Sequence, residues 1–141
     1  MAEVKMDVFY PYSIEKVWNA LVEPEALAQW NEAFAHFRPV EGHKFTFQSK
    51  PTMGWKGISY FEVLKVEQPH TLSWSTRAEE DSKEILVGTL SLKAEGEGTR
   101  LNLLVDGMTG MKGLFIKGFV VSAWKKNFAA IEKILNKGGK S

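Results

Sequence analysis

The side chains best suited to metal binding or acid–base catalysis are three histidines and a few carboxylates. His36, His43 and His70 fall in three separate segments, and no helical or strand spacing brings two of them onto one metal ion. Three carboxylates occupy outward-facing positions of the predicted strands: Glu62, Asp81 and Asp106. The sequence therefore predicts neither a metal site nor a pair of carboxylates for acid–base catalysis.

Nucleophilic and phosphate-binding motifs are also missing from the sequence. The chain has no cysteine, which excludes thiolate catalysis, disulfides and cysteine-based zinc sites. No serine stands at a recognisable motif distance from a histidine and an acid, although sequence distance leaves a spatially assembled triad open. The glycine-rich stretch at 96–99 joins two predicted strands and has no helix after it, unlike a phosphate-binding loop. We expect no catalytic residue, no metal and no cofactor.

Composition and charge are those of an ordinary globular domain. The chain has 141 residues, 44% of them hydrophobic and 25% charged, with a formal net charge of +1, and we expect a single domain over 1–141. Residues 108–141 carry seven lysines against Glu132 alone. An anionic ligand or a membrane surface would suit them, but the solvated face of a helix is the favoured interpretation.

Two classes of partner are not expected from the sequence. The basic residues are not interleaved with strand-face aromatic residues, so we expect no nucleic-acid partner. The apolar stretch at 114–124 is far shorter than the roughly 20 residues that a spanning helix needs, so we expect no stable membrane insertion. The N-terminus has no apolar signal-peptide core, and we expect a cytoplasmic protein.

The first part of the chain reads as a strand followed by two short helices. Val4, Met6 and Val8 alternate with charged residues, as in a strand with one buried face. Ser13 is a suitable N-cap for a helix with apolar residues at helical spacing. Pro24 ends that helix and opens a second short one, whose apolar side carries Leu27 and Trp30.

From Phe34 to Asp106 the hydrophobic period changes to two, which predicts a run of about six strands. The turns between them are too short for crossover helices, so the sheet is antiparallel. Within 55–67 the alternation of apolar and polar residues shifts by one position, which predicts a bulge near Val63. A last helix over 111–136 carries a stripe at 3-4 spacing: Val121, Trp124, Phe128, Ile131 and Leu135. A curved sheet wrapped around this helix, an α+β fold, buries all these faces.

Several short motifs, taken in order, resemble those of the START-like (SRPBCC) helix-grip superfamily. The motifs are Pro11, Val17-Trp18, Pro24-Glu25, Leu27 and Trp30 near the start, Gly42 with Phe45 and Phe47, Glu62-Val63 with Pro69, Leu72 and Trp74, and Gly98-Thr99-Arg100-Leu101. The chain is most similar to homologues of the heat-shock-protein-90 ATPase activator and to polyketide cyclase and lipid-transport-like proteins. The resemblance implies a helix-grip fold with a deep cavity between the sheet and the long helix.

Candidate ligand-binding residues are aromatic and small residues on the inner surfaces. The full set is Trp30, Phe34, Phe45, Phe47, Trp55, Phe61, Trp74, Met111, Phe115, Gly118 and Phe119. For Trp18, Trp74 and Phe128 a role in filling the core is the favoured interpretation. For Trp30, Phe45, Trp55 and Phe115 core and cavity are nearly balanced, because Gly57, Ser59, Gly88, Gly113 and Gly118 leave space beside them.

The N-terminal half of the long helix has two further features. Gly113 and Gly118 cost helix stability, and we interpret them as the mouth of a cavity, with close packing of a neighbouring element as the alternative. Lys112 and Lys117 stand about 140° apart around the axis, so at most one of them faces a ligand.

The sequence favours a non-enzymatic binding or carrier domain for a small hydrophobic, ring-containing ligand such as a lipid, polyketide or flavonoid. One alternative is a cyclase or isomerase, which would need Tyr60, Arg38 or a histidine in the cavity. Another is a co-chaperone-like interaction module that uses the outer face of the sheet, with a chaperone as its partner.

Overall fold

A computed structural model describes residues 2–23, 26, 37–48, 57–77, 85–108 and 110–137, with the backbone alone at 2, 108, 110–116 and 119. Eight elements follow one another along these residues: β1 (Ala2–Tyr10), α1 (Ile14–Val22), β2 (Lys44–Gln48), β3 (Ile58–Glu67), β4 (Thr71–Arg77), β5 (Leu86–Glu95), β6 (Gly98–Met108) and α2 (Gly110–Lys137). The second short helix predicted after Pro24 lies outside the described residues.

The first helix begins and ends where the sequence predicts. The Ser13 side chain accepts a hydrogen bond from the backbone N–H of Lys16 at 3.3 Å, which satisfies one of the free donors of the first turn. Val17, Trp18 and Leu21 turn one face of α1 into the core, where each is at most 2% exposed. The helix ends at Val22, two residues before Pro24.

The six strands form one antiparallel sheet in the order β1-β6-β5-β4-β3-β2. Five of these strands follow α1 in the described residues, where the sequence predicted about six. The predicted bulge is confirmed, because the register of β3 against β4 shifts between Val63 and Lys65. Beyond it the carboxylate of Glu41 accepts a hydrogen bond from the backbone N–H of Val66 at 3.0 Å. The bulge bends β3 and increases its twist, which curves this side of the sheet.

The long helix lies on the half of the sheet that β1 and β6 form, and it also contacts α1. Its predicted stripe is confirmed: Trp124, Phe128, Ile131 and Leu135 are buried and Val121 is half-buried. The phenol of Tyr10, on β1, donates a hydrogen bond to the backbone carbonyl of Phe128 at 2.8 Å. This hydrogen bond adds a directional contact to the apolar packing. It fixes how α2 is rotated about its own axis and where it lies along β1.

The helix-grip α+β fold expected from the sequence is confirmed by this arrangement. None of the described helices has a stretch long and apolar enough to cross a lipid bilayer. The lysines of α2 at positions 125, 126, 133 and 137 are all exposed, as a solvated helix face requires.

Tyr10 makes the docking of α2 sensitive to alkaline pH. Burial, with a smaller contribution from the charge of Glu132, raises the pKa of the Tyr10 phenol above its ordinary value of 10.0. The neutral phenol therefore contributes its full stabilisation below pH 10. This contribution is lost as the pH rises further, because the unfolded chain then releases the proton more readily than the folded one.

Replacing Tyr10 by phenylalanine tests this anchor. At neutral pH we expect Tyr10→Phe to lower the free energy of unfolding by about 1 kcal/mol, the value of a typical buried hydrogen bond. Above pH 10 the gap between wild type and variant should narrow by up to about 1.4 kcal/mol per pH unit. Urea unfolding at several pH values measures both effects. Tyr12→Phe, which removes the exposed hydrogen bond to Asn136, is the control and should cost less. A gap that stays constant with pH would contradict the account.

Candidate functional site

An open pocket of about 300 Å³, here called the cavity, lies between α2 and the inner face of the sheet, on the side of β3, β4 and β5. Its lining residues on the sheet are Phe61, Trp74, Thr76, Leu86, Gly88 and Val105, and on the helix Val120, Ala123, Trp124 and Asn127. None of these side chains is charged. A concave, mostly apolar site with a few polar groups is typical of small-molecule binding.

The floor of the cavity consists of two rows of residues that run across the strands. In one row the backbone register places Phe61 opposite Thr76, and Thr76 opposite Leu86. In the other it places Trp74 opposite Gly88, and Gly88 opposite Val105. Both rows face α2 because side chains on alternate residues of a strand point to the same side of a sheet.

Gly88 determines where the Trp74 indole lies. A Cβ atom built on Gly88 would come within 2.5 Å of Cζ2 of that indole, which is too close for a non-bonded contact between carbon atoms. Because Gly88 has no side chain, the indole of Trp74 can lie directly over β5. From there Trp74 contacts Trp124 of the helix, with ring centroids 5.8 Å apart.

Two polar side chains interrupt the apolar lining. Thr76 and Asn127 are both half-buried and both line the cavity. Within the described part of the chain, neither the Thr76 hydroxyl nor the Asn127 amide has a hydrogen-bond partner. A hydroxyl and an amide in such a place are free to bond a polar group of a ligand, and they help to orient it.

The structure brings two of the predicted site residues, Phe61 and Trp74, into the cavity wall. Phe45 is buried next to them and stacks on Phe61 with ring centroids 4.9 Å apart, while Phe47 is half-buried against the core. The core role favoured for Trp18, Trp74 and Phe128 agrees with their exposure of 2%, 5% and 8%. Trp74 both fills the core and lines the cavity, since the two sides of one indole can have different neighbours.

Other predicted site residues are not placed. The side chains of six of them lie outside the described residues: Trp30, Phe34, Trp55, Met111, Phe115 and Phe119. Gly118 is exposed, about 120° around the helix from Trp124. A Cβ on Gly118 would meet no atom within 4 Å, so close packing does not explain this glycine. Its role at a cavity mouth stays a prediction.

Sequence reasoning missed the two polar residues and three described helix residues of the lining, Val120, Ala123 and Trp124. Asn127 stands three residues after Trp124, beside the buried stripe, and Thr76 ends the alternating row of Leu72 and Trp74. In both cases the available signal was a polar residue at or beside a position that the period assigns to the inside. That signal alone does not separate a cavity from a solvent-facing strand end.

Of the residues that a cyclase or isomerase would need, none of those that the structure describes lines the cavity. Tyr60 is on the outer face of the sheet, Arg38 is exposed, and His43 stacks on Phe45 with ring centroids 5.7 Å apart. Among the described residues, no three histidine or carboxylate side chains converge on a point that could hold a metal ion. His36 and Asp81 lie outside those residues.

The outer face of the sheet carries a second, more polar depression of about 470 Å³, here called the outer groove. It is lined by Lys44, Phe45, Thr46, Tyr60, Phe61, Glu62, Ser75 and Arg77. The register places Glu62 between Lys44 and Ser75, and Tyr60 opposite Arg77. Both charge signs are present, which suits contacts with a protein surface better than burial of an apolar molecule.

The fold agrees with the family that the sequence of the chain matches. Residues 11–136 match the family described as activator of Hsp90 ATPase homolog 1-like proteins. The chain belongs to this family. The family lies within the START-like superfamily, so the resemblance found in the sequence is confirmed. None of the curated proteins matches the chain.

Solved structures share the fold over almost the full length. Protein MLL2253 of Mesorhizobium loti aligns with a TM-score of 0.79 at 24% identity, covering 99% of this chain and 100% of that one. The Aha1 dimer of Colwellia psychrerythraea gives 0.74 at 15% identity, with 99% and 100% covered. CalU16 of Micromonospora echinospora gives 0.67 at 18% identity, with 96% and 79% covered. At these identities the likeness is one of fold.

A pair of glycine substitutions tests the construction of the cavity floor. We expect Gly88→Ala to lower the free energy of unfolding by about 1–3 kcal/mol, because the new methyl group displaces the Trp74 indole from a packed position. Gly118→Ala is the matched control, and it should raise stability by about 0.5–1 kcal/mol because the methyl meets no neighbour and the helix gains propensity. Urea unfolding followed by tryptophan fluorescence measures both. Equal effects of the two substitutions would contradict this description of the floor.

Proposed function

We propose that this protein binds and carries a small hydrophobic, ring-containing ligand in the cavity between the sheet and α2. Lipids, polyketides and flavonoid-like molecules are the classes that its family resemblance suggests. The observation that carries the proposal is the cavity of about 300 Å³, walled by Phe61, Trp74 and Trp124 and lined by two polar groups that have no hydrogen-bond partner among the described residues. A cytoplasmic location is part of the proposal.

The driving force for binding is the burial of apolar surface. Each square ångström of apolar surface removed from water contributes about 25 cal/mol, so a two-ring aromatic molecule gains several kcal/mol before the entropy cost of binding is subtracted. Flat ring faces of Trp74 and Trp124 favour offset or edge contacts with an aromatic ligand. Thr76 and Asn127 then select among ligands by the position of their polar groups.

A transport or storage role fits this chemistry better than catalysis. The described lining holds no acid, no base and no nucleophile stronger than a threonine hydroxyl. General acid–base catalysis needs a group with a pKa near the working pH within hydrogen-bond reach of the substrate. The lining residues that the structure describes can bind and orient a ligand but supply no such group.

A second candidate function rests on the outer groove, whose Lys44, Glu62 and Arg77 are suited to contact another protein. The family name suggests a chaperone of the Hsp90 class as that partner. The two candidates use opposite faces of the sheet, so substitutions separate them. Lys44→Ala with Arg77→Ala should weaken a protein contact at the groove and leave ligand binding in the cavity unchanged.

Blocking the cavity from the helix tests the primary proposal. We expect Ala123→Phe, which places a ring among the lining residues, to reduce the affinity for the neutral fluorophore N-phenylnaphthylamine at least about tenfold by occupying its volume. The affinity follows from a fluorescence titration, and bound probe should also raise the melting temperature of the wild type, as any ligand of the native state does.

Ala129→Phe supplies the matched control. Ala129 is also an exposed alanine of α2, but it lies in a separate depression of about 420 Å³, on the far side of the helix from the cavity. We expect this variant to bind the probe as the wild type does. If the wild type takes up no probe, or if both phenylalanine variants bind it equally well, the proposed function is wrong.

A further inference from the structure

The side of α2 that lines the cavity carries a cation one turn beyond the lining residues. Lys117, Val120 and Trp124 follow one another at 3-4 spacing. Lys117 lies seven residues before Trp124, which corresponds to about 700° of rotation and places it about 20° from Trp124 around the axis. Val120 and Trp124 line the cavity, so Lys117 stands on the same side of the helix, one turn beyond the lining.

This position distinguishes Lys117 from the other described lysines of the helix. Lys125, Lys126, Lys133 and Lys137 all lie at least about 100° around the axis from Trp124, on the solvated side. Lys117 is exposed although it continues the buried stripe, so the sheet does not cover the helix at that point. An ammonium group at the end of an apolar cavity is a natural partner for the charged end of an otherwise apolar ligand.

None of the acidic residues that the structure describes is paired with this ammonium group. Within the described part of the chain, no carboxylate forms an ion pair with Lys117. Glu132, the acidic residue of α2, is fifteen residues further on, about 22 Å along the axis. Asp106 lies on the outward-facing parity of β6, and its carboxylate accepts a hydrogen bond from the backbone N–H of Gly107. Among the residues that the structure describes, no carboxylate therefore competes with a ligand for the charge of Lys117.

We propose that the cavity takes amphipathic anions: molecules with an apolar, ring-containing body that lies against Trp74 and Trp124 and a single carboxylate, sulfonate or phosphate that meets Lys117. The distance between these ends is set by the seven residues from Lys117 to Trp124, about 10 Å along the helix. A body of two or three fused or linked rings spans this length. The inference rests on the proposed function, because it assigns the ligand class of the same cavity.

Two dyes with one skeleton test the charge preference directly. Anilinonaphthalene sulfonate and N-phenylnaphthylamine differ by the sulfonate group alone, so the ratio of their dissociation constants isolates the contribution of the negative charge. In Lys117→Met, which keeps an unbranched apolar side chain, we expect the affinity for the sulfonate to fall about three- to tenfold, the range for a partly solvated charged contact. The affinity for the neutral dye should stay unchanged.

Lys125→Met is the matched control because it removes one positive charge from an exposed position of the same helix, away from the cavity. It should leave both affinities unchanged, and Lys117→Arg should keep the preference for the sulfonate. Raising the salt concentration should weaken sulfonate binding by the wild type and leave binding of the neutral dye unaffected.

The possible failures are distinguishable. If the wild type binds neither dye, the proposed function fails and the inference fails with it. If both dyes bind and the two methionine variants weaken the sulfonate equally, net charge rather than Lys117 attracts the anion, and only the inference is overturned. If Lys117→Met weakens the neutral dye as much as the sulfonate, the side chain contributes apolar contact rather than charge, which also overturns it.

Discussion

The contact between Trp74 and Gly88 is the constraint on which the site depends. Gly88 has no side chain, so the indole lies over β5 and reaches Trp124 of the helix. A large rigid ring supported from below holds the helix and the sheet apart at this point. The space beside these two rings is the cavity, and its floor cannot be rearranged without moving Trp74.

The two halves of the sheet pack differently against α2. On β1 and β6 the helix packs closely, with the Tyr10 phenol bonded to the Phe128 carbonyl and Ile131 and Leu135 almost fully buried. On β3, β4 and β5 the helix stands clear of the strands and leaves the cavity. The close-packed half supplies the stability that lets the other half keep a hollow, since an unfilled volume forfeits both burial and dispersion contacts.

Much of the fold could be predicted from hydrophobic period alone, because period reflects a local geometry that each element must obey. The shift in alternation near Val63 identified the bulge, and the 3-4 stripe identified the buried face of α2. The inward set of aromatic residues was predicted correctly where the structure describes it, at Phe45, Phe61 and Trp74. These features depend on neighbours close in sequence.

The lining of the cavity could not be predicted in the same way. Thr76 becomes a cavity residue because the register sets it between Phe61 and Leu86, and Asn127 because the helix is rotated about its axis by its contacts with β1. Strand register and helix rotation both depend on residues that are distant in the sequence. The hydrophobic period shows only which side of an element a residue occupies. Phe45 shows the same limit, since an inward aromatic ring can fill the core or border a hollow with an identical pattern.

The central claim is that a ligand lies between Trp74 and Trp124, and the indole N–H signals of the five tryptophans report on it directly in a ¹H–¹⁵N NMR spectrum. Tryptophan-to-phenylalanine variants assign the signals, and N-phenylnaphthylamine serves as the ligand. The account predicts that the signals of Trp74 and Trp124 shift or broaden on titration, while that of Trp18, buried in α1 away from the cavity, stays in place. Unmoved signals of Trp74 and Trp124 at saturating probe, with changes confined to residues of the outer groove such as Tyr60 and Arg77, would contradict it.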